Sequence, residues 1–299
     1  MGSICVKVPA TSANLGAGFD AAGLALGLYN RVEFTPAEQL EISASDGTPV
    51  PTGPDNLVYQ AVCFLYKKAG KAPPPLRIVQ TNPIPMARGL GSSSACIVAG
   101  LLGANRLLGD PFDRMQLLDF ATEMEGHPDN VAPALLGGFV RCLCEDGKVY
   151  AVQKPLDADL CFLAVIPDQP LLTEKARSVL PGNVSHQDAV FNLSRAALLD
   201  EAFCGGRHEL LALVTQDRLH QPYRMQLIPG GEKVLQAARQ LGAKAAYLSG
   251  AGSTLLAVME QADADRICAG LEAALAADPL CCKFRCVRLA GDSLGAQVE

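Results

Sequence analysis

Two α+β domains, one over residues 1–157 and one over 158–299, are what this chain predicts. Three observations carry that expectation. Short apolar runs of strand character are interleaved with runs of helical spacing along the whole length. At 299 residues the chain can build two modest cores. It is 49% apolar but only 5% aromatic, with no tryptophan, so Leu, Val, Ile and Ala must fill those cores, which favours helices packed closely against sheets.

Taken in order, Ile4 to Val8 alternates as a short strand, and a glycine-rich turn follows from Asn14 to Asp20. Leu24 to Phe34 and Leu40 to Ala44 have strand spacing. Asp55 is placed to cap a helix through Leu57, Ala61, Val62 and Leu65 that stops at Gly70. Three prolines at 73–75 stiffen the approach to a strand from Leu76 to Thr81. Helices are expected over Ala95–Leu108 and Asp113–Glu125, and a third opens at Asp129 and ends at Gly137-Gly138. Phe139–Cys144 and Lys148–Val152 flank Glu145-Asp146-Gly147 as a hairpin. Beyond Asp157 come a strand at Leu160–Ile166, helices around Ser185–Phe203 and Glu232–Leu241, strands at Ala245–Leu248 and Leu255–Met259, an Ala-rich helix at Asp263–Ala277 and a strand at Lys283–Leu289.

Bulk properties exclude several classes. The formal charge is -6 and no run of Lys or Arg occurs, so the basic footprint of a nucleic-acid binder is absent. The opening residues lack a basic-then-apolar leader, and the longest apolar stretches fall short of a bilayer span. A cytoplasmic protein without membrane or nucleic-acid partners is expected, and a homodimer is compatible with base rates. Eleven cysteines, an odd number scattered through apolar segments, suit a reducing compartment. Their spacing and the four histidines do not make a zinc site.

The most informative stretch is Pro83-Ile84-Pro85-Met86-Ala87-Arg88-Gly89-Leu90-Gly91-Ser92-Ser93-Ser94-Ala95. Gly89 and Gly91 let the backbone turn tightly and present N–H groups, and the serines fall where a helix begins with its first N–H groups unpartnered. The result is an anion cradle at the positive end of a helix, suited to a phosphate chain. It is not a Walker A loop, because no lysine follows Gly91, and serine stands at position 94 where a dinucleotide fingerprint needs glycine. Such a loop needs a divalent cation, with a serine hydroxyl and a carboxylate as protein ligands; Glu123 and Glu125 are the candidates. Three further segments stand out. They are Pro9-Ala10-Thr11-Ser12-Ala13-Asn14-Leu15-Gly16-Ala17-Gly18-Phe19-Asp20, suited to a small polar ligand; Glu125-Gly126-His127-Pro128-Asp129-Asn130, a dense polar cluster; and Leu248-Ser249-Gly250-Ala251-Gly252-Ser253-Thr254, small enough to approach another backbone.

Together these segments resemble homoserine kinases, within the GHMP superfamily of small-molecule kinases that includes galactokinase, mevalonate kinase and phosphomevalonate kinase. The likeness runs over essentially the whole chain: a Pro-rich lead into Gly-Leu-Gly-Ser-Ser, the opening segment from Pro9 to Asp20, His127 to Pro133, and the late Leu-Ser-Gly-Ala-Gly loop, all in family order. It implies a GHMP kinase fold, with an N-terminal domain like the second domain of ribosomal protein S5 and a ferredoxin-like C-terminal domain. It implies ATP and Mg²⁺ as cofactors and L-homoserine as substrate, phosphorylated on its side-chain hydroxyl to O-phospho-L-homoserine, a threonine precursor.

By the same resemblance, Ser93 and Glu125 hold Mg²⁺, with Glu123 as the alternative ligand, and Ser93, Glu125 and Asn130 form the catalytic set. Pro85, Arg88, Gly89, Leu90, Gly91, Ser92, Ser93 and Ser94 wrap the triphosphate, with Asn56 and Asn105 near the nucleotide. Asn14, Asp20, His127, Asn130 and Thr173 meet the amino acid, Asp20 taking its ammonium group, and Arg177 and Arg224 grip its carboxylate. No dedicated base is implied; Asp129 is the nearest carboxylate in sequence and reads as structural. The chain departs from many relatives in carrying serine at both 94 and 253.

Overall fold

The computed structural model describes residues 3–299, and its strands form two sheets. The first half supplies β1 (Ile4–Ala13), β2 (Ala22–Pro36), β3 (Glu41–Ala44), α1 (Leu57–Lys68), β4 (Leu76–Thr81), α2 (Ser92–Leu108), α3 (Arg114–Glu125), α4 (Pro128–Leu136), β5 (Phe139–Glu145) and β6 (Lys148–Lys154). The second half supplies β7 (Leu160–Ile166), α5 (Thr173–Ser178), α6 (His186–Ala196), α7 (Leu199–Cys204), α8 (Leu211–Val214), α9 (Gln221–Arg224), α10 (Gly231–Gln240), β8 (Ala245–Leu248), β9 (Leu255–Glu260), α11 (Ala264–Ala277), β10 (Arg285–Leu289) and β11 (Gln297–Val298).

The first sheet runs β11-β1-β2-β4-β3, with the β5–β6 hairpin attached to the early part of β2. A bulge between Pro9 and Ala10 interrupts the β1–β2 register, where proline has no N–H to give the ladder. Beyond the bulge β1 continues to Ala13, past the expected strand end at Val8, and carries Thr11 and Ser12 with it. The second sheet is antiparallel in the order β10-β7-β9-β8. With helices between β7 and β8 and between β9 and β10, this is the ferredoxin-like βαββαβ order. β11 pairs with β1 through Val6↔Val298, and Gly291 bridges to Leu26, so the end of the chain returns from the second sheet to the first.

Period-two burial joins the halves. Leu160, Phe162, Ala164 and Ile166 of β7 face the large core that contains the first sheet, whereas Cys161, Leu163 and Val165 face α10 and α11. Close helix packing is visible where α2 meets its neighbours. A Cβ on Gly100 would lie 2.4 Å from the Val58 carbonyl oxygen, and one on Gly103 would lie 2.4 Å from the Phe34 ring.

Several boundaries differ from expectation for identifiable reasons. Asn56 caps α1 rather than Asp55, its Oδ1 accepting from the Val58 and Tyr59 N–H groups. The helical run around Ser185–Phe203 breaks at Ala197-Leu198 into α6 and α7. α5, α8, α9 and β11 are too short to show a period and are held by tertiary contacts. Among the described residues no helix is long and apolar enough to cross a membrane.

Candidate active site

The phosphate loop is built by positive backbone angles that glycine alone accepts without strain. Gly89 has φ 72° and Gly91, the N-cap of α2, has φ 71°. A Cβ on Gly91 would lie 2.0 Å from Thr11 Oγ1, and one on Gly89 would lie 2.3 Å from the Ser249 carbonyl oxygen. The loop is therefore pressed between β1 and the loop after β8. The Thr11 N–H donates to the Leu90 carbonyl (3.1 Å), the Thr254 N–H to that of Arg88 (3.0 Å), and Ser249 Oγ to that of Gly89 (2.7 Å). Because α2 has no side-chain cap, its leading N–H groups are left for a ligand.

At that helix start, Ser93 Oγ and Ser94 Oγ both donate to Glu125 Oε1, at 2.8 and 2.9 Å. Glu123 turns the other way and pairs with Lys68 at 2.8 Å. Oxygens of Ser93 and Glu125, converging beside a row of amide donors, suit a small hard cation that also binds phosphate.

A cavity of about 360 Å³ extends from this loop in two directions. One end is walled by Val50, Pro51, Leu57 and Met86, an apolar slot of the kind a flat base fills. The other end collects charge. Arg177 grips Asp20 with both arms of its guanidinium, at 2.8 and 3.1 Å. Arg224 is 1% exposed and donates to the carbonyls of Ala176 and Gly250, both at 3.2 Å. Burial, with the charge of Arg177 added, pushes the Arg224 guanidinium down to about 10. His127 Nδ1 donates to Asp129 Oδ1 at 2.5 Å; burial is the largest single effect and opposes the ring's charge, but this bond together with the charges of Asp129 and Glu125 outweighs it, and the His127 pKa is raised. Thr11 Oγ1 donates to Asn130 Oδ1 at 2.8 Å, tying the polar cluster to the strand behind the phosphate loop.

Comparison with known proteins agrees in sequence and in structure. Residues 56–138 match the family of GHMP kinases N terminal domain, and residues 198–277 match GHMP kinases C terminal. A homoserine kinase of Clostridium beijerinckii is 46% identical over 262 residues, covering 87% of this chain and 87% of the relative. One from Caldicellulosiruptor saccharolyticus is 43% identical and covers 99% and 96%. The chain belongs to the homoserine kinase family. The crystal structure of homoserine kinase from Cytophaga hutchinsonii superposes with TM-score 0.89 at 29% identity, over 100% of this chain and 98% of that one. Mevalonate kinase of L. major, 18% identical with TM-score 0.71 over 96% of each chain, shares the fold.

In this member of the homoserine kinase family, the cavity is lined by Asn14, Asp20, Asn56, Arg88, Gly89, Gly91, Ser92, Ser93, Glu125, His127, Asn130, Thr173, Arg177 and Arg224, and so brings most of the expected residues together. Some of them line it with side chains already committed. Asn14 Nδ2 donates to the Gly250 carbonyl, and its Oδ1 accepts from the Asp20 N–H. Asn56 is used as a helix cap and by Gln80. Arg88 turns out of the phosphate loop and donates to the carbonyls of Met86, Pro167 and Asp168, clamping the loop to the segment that leads into α5.

Others stand apart from the cavity. Pro85 is not in its wall, Leu90 is buried in the core, and Ser94 is buried and reaches the site only through Glu125. Asn105 is a correction: it lies thirteen residues into α2, about 20 Å from the helix start. Its amide there bonds both the N–H and the carbonyl of Phe112, so it fixes the α2–α3 turn rather than a nucleotide. Phe19 and Met86 stood within segments singled out from the sequence but were given no role, and the rest of the apolar slot, whose residues form no motif, was missed, as were His220 and Asp217. For these the only trace is the short spacing of His220 and Arg224.

Proposed function

We propose that this protein transfers the γ-phosphoryl group of ATP to the side-chain hydroxyl of L-homoserine, giving O-phospho-L-homoserine and ADP for threonine biosynthesis. One observation carries the reading: a single cavity joins an amide-lined phosphate loop to a pair of opposite charges, Asp20 and Arg177, with the buried Arg224 beside them. An α-amino acid presents ammonium and carboxylate together, and that charge pattern complements them. In this reading Asp20 takes the ammonium, Arg177 and Arg224 take the carboxylate, and His127, Asn130, Asn14 and Thr173 line the space between.

Ser93 and Glu125 fit Mg²⁺, being adjacent oxygen ligands at the mouth of α2. When bound, the ion supplies neutralisation of charge on the transferring phosphate. The chain's own part is placement. Backbone N–H groups from Gly89 to Ser94 orient the triphosphate, and the arginines hold homoserine so that its hydroxyl lies in line. Asp129 is 1% exposed and already accepts from His127, which suits holding that ring rather than removing a proton. The enzyme works as a cytoplasmic catalyst on small molecules.

An ADP-release assay over a panel of alcohols tests the assignment. Homoserine turns over with ATP and Mg²⁺, and turnover of mevalonate or a sugar in its place overturns the reading. Ser93→Ala and Glu125→Gln each lower kcat by at least about tenfold and raise the Mg²⁺ requirement. Asp129→Asn leaves kcat largely intact. The reverse pattern refutes catalysis by placement.

A further inference from the structure

We infer that His220 is the positioning residue of the amino-acid subsite, a single neutral ring that fixes both the buried Arg224 guanidinium and the turn carrying Asn14 and Asp20. The inference rests on the homoserine reading above and concerns a side chain that touches no substrate.

His220 is wholly buried. Its Nε2 lies 2.8 Å from the Gly16 carbonyl oxygen, and a carbonyl can only accept, so Nε2 carries the hydrogen. That leaves the Nδ1 lone pair facing Arg224 Nη1 at 3.4 Å, and a guanidinium can only donate. One ring thus spans two arms of the site through opposite faces of its hydrogen-bonding capacity. A proton on Nδ1 would set donor against donor. Burial lowers the His220 pKa, in keeping with a neutral ring.

The ring itself is held from three sides. Asp217 Oδ2 accepts from the backbone N–H groups of His220 (2.9 Å) and Gln221 (2.6 Å), while its Oδ1 accepts from Asn192 Nδ2 (2.7 Å). Phe19 stacks on the imidazole with centroids 5.1 Å apart and lies beneath the guanidinium carbons of Arg224 at 5.1 Å and Arg177 at 5.7 Å. A Cβ on Gly16 would fall 2.1 Å from the Thr215 carbonyl oxygen, so the turn packs directly on the backbone just ahead of this anchor. His220 and Arg224 are the N-cap and the last residue of α9, four apart, which puts them on one face.

Two substitutions separate the two bonds. His220→Gln keeps a donor that reaches Gly16 and lacks the acceptor at the Nδ1 position; His220→Asn keeps that acceptor and loses the bond to Gly16. His220→Gln raises the KM for homoserine by about 10- to 100-fold, the loss expected for a buried bond to a charged group, and His220→Asn by about 5- to 100-fold, the cost of a buried carbonyl left unpaired, while the KM for ATP stays within about twofold. General damage to the fold would raise both constants. An unchanged homoserine KM in both variants, or a parallel rise for ATP, overturns the inference. If neither variant folds, ¹⁵N-histidine NMR on the parent enzyme decides: the buried ring shows a protonated Nε2 and a bare Nδ1 at neutral pH, and the opposite tautomer or a doubly protonated ring overturns it. A parent enzyme inert toward homoserine overturns the functional reading itself; an active parent with unaffected variants overturns this inference alone.

Discussion

Replacing Arg224 by methionine separates what the fold needs from what the substrate needs. The guanidinium is 1% exposed and is held at about 10, below the usual arginine range, by burial and by the neighbouring charge of Arg177. That depression corresponds to about 3 kcal/mol of charge held against its surroundings. The sign follows from linkage. In the range between the folded and unfolded values the unfolded chain binds more protons, so stability rises with pH there, and below about 10 the cost is present in full. Methionine removes the cost but takes a donor from the Ala176 carbonyl and from His220 Nδ1, at about 1–3 kcal/mol apiece, while the Gly250 carbonyl keeps the Asn14 amide. The opposing effects leave stability within about 3 kcal/mol of the parent, as replacements of buried ions by apolar side chains of similar volume often do. Function does not balance in this way. On the proposed binding, a homoserine carboxylate that loses Arg224 as its buried partner forfeits about 2–5 kcal/mol, so kcat/KM falls by about 30-fold or more. Urea unfolding and an ADP-release assay at varied homoserine measure the two effects on one preparation. A variant that unfolds outright refutes the charge accounting, and a folded variant with parental kcat/KM refutes the role of Arg224 in binding.

Gly91→Ala forces a side chain onto a backbone at φ 71° with Thr11 Oγ1 2.0 Å away, so the KM for ATP rises by at least about tenfold while calorimetric affinity for homoserine alone persists. Asn105→Ala removes the bonds to Phe112 and costs about 1–3 kcal/mol of stability by urea denaturation, yet leaves the KM for ATP within about twofold; a selective loss of ATP affinity would restore Asn105 to the nucleotide site. His127 titrates above about 6.5 by NMR because of its bond to Asp129, and Asp129→Asn brings the midpoint down. With the folded value raised, the stability this pair supplies is fully present below the unfolded value and is lost as pH rises through the folded one; a midpoint at or below the free-histidine value contradicts it.

What could be read beforehand followed local physics. The strand Ala245–Leu248 fell where its apolar run put it, and the helix expected over Asp113–Glu125 is α3, which Asp113 caps in a capping box with Gln116. The phosphate loop was visible because its glycines and serines are required within one short segment. α8, α9 and β11 were not, since a four-residue helix or a two-residue strand has no period and exists through its neighbours. The same limit explains the site. Asp20 and Arg177 are 157 positions apart and could be listed separately, but nothing local revealed that they hold each other. Asn105 was drawn toward the nucleotide by likeness alone, although the length of α2, countable from its glycine and serine start, already put it about 20 Å off.

That mutual grip bears on which alcohols the cavity admits. Asp20 and Arg177 neutralise each other, with side chains 35% and 37% exposed. A zwitterionic amino acid brings one charge for each of them, so one ion pair becomes two and neither protein charge is left alone. A ligand carrying only a carboxylate would draw Arg177 away and strand Asp20 close to the acidic Asp129; one carrying only an ammonium group would strand Arg177 close to Arg224. Either case leaves a half-buried charge short of its partner, the arrangement that low-dielectric surroundings penalise most. Arg224, whose hydrogen bonds go to two carbonyls and an imidazole rather than to a carboxylate, then tips the exchange toward ligands bearing a carboxylate. On the binding proposed above, selection for an α-amino acid thus comes from the closed charge pair as much as from the shape of the space around it.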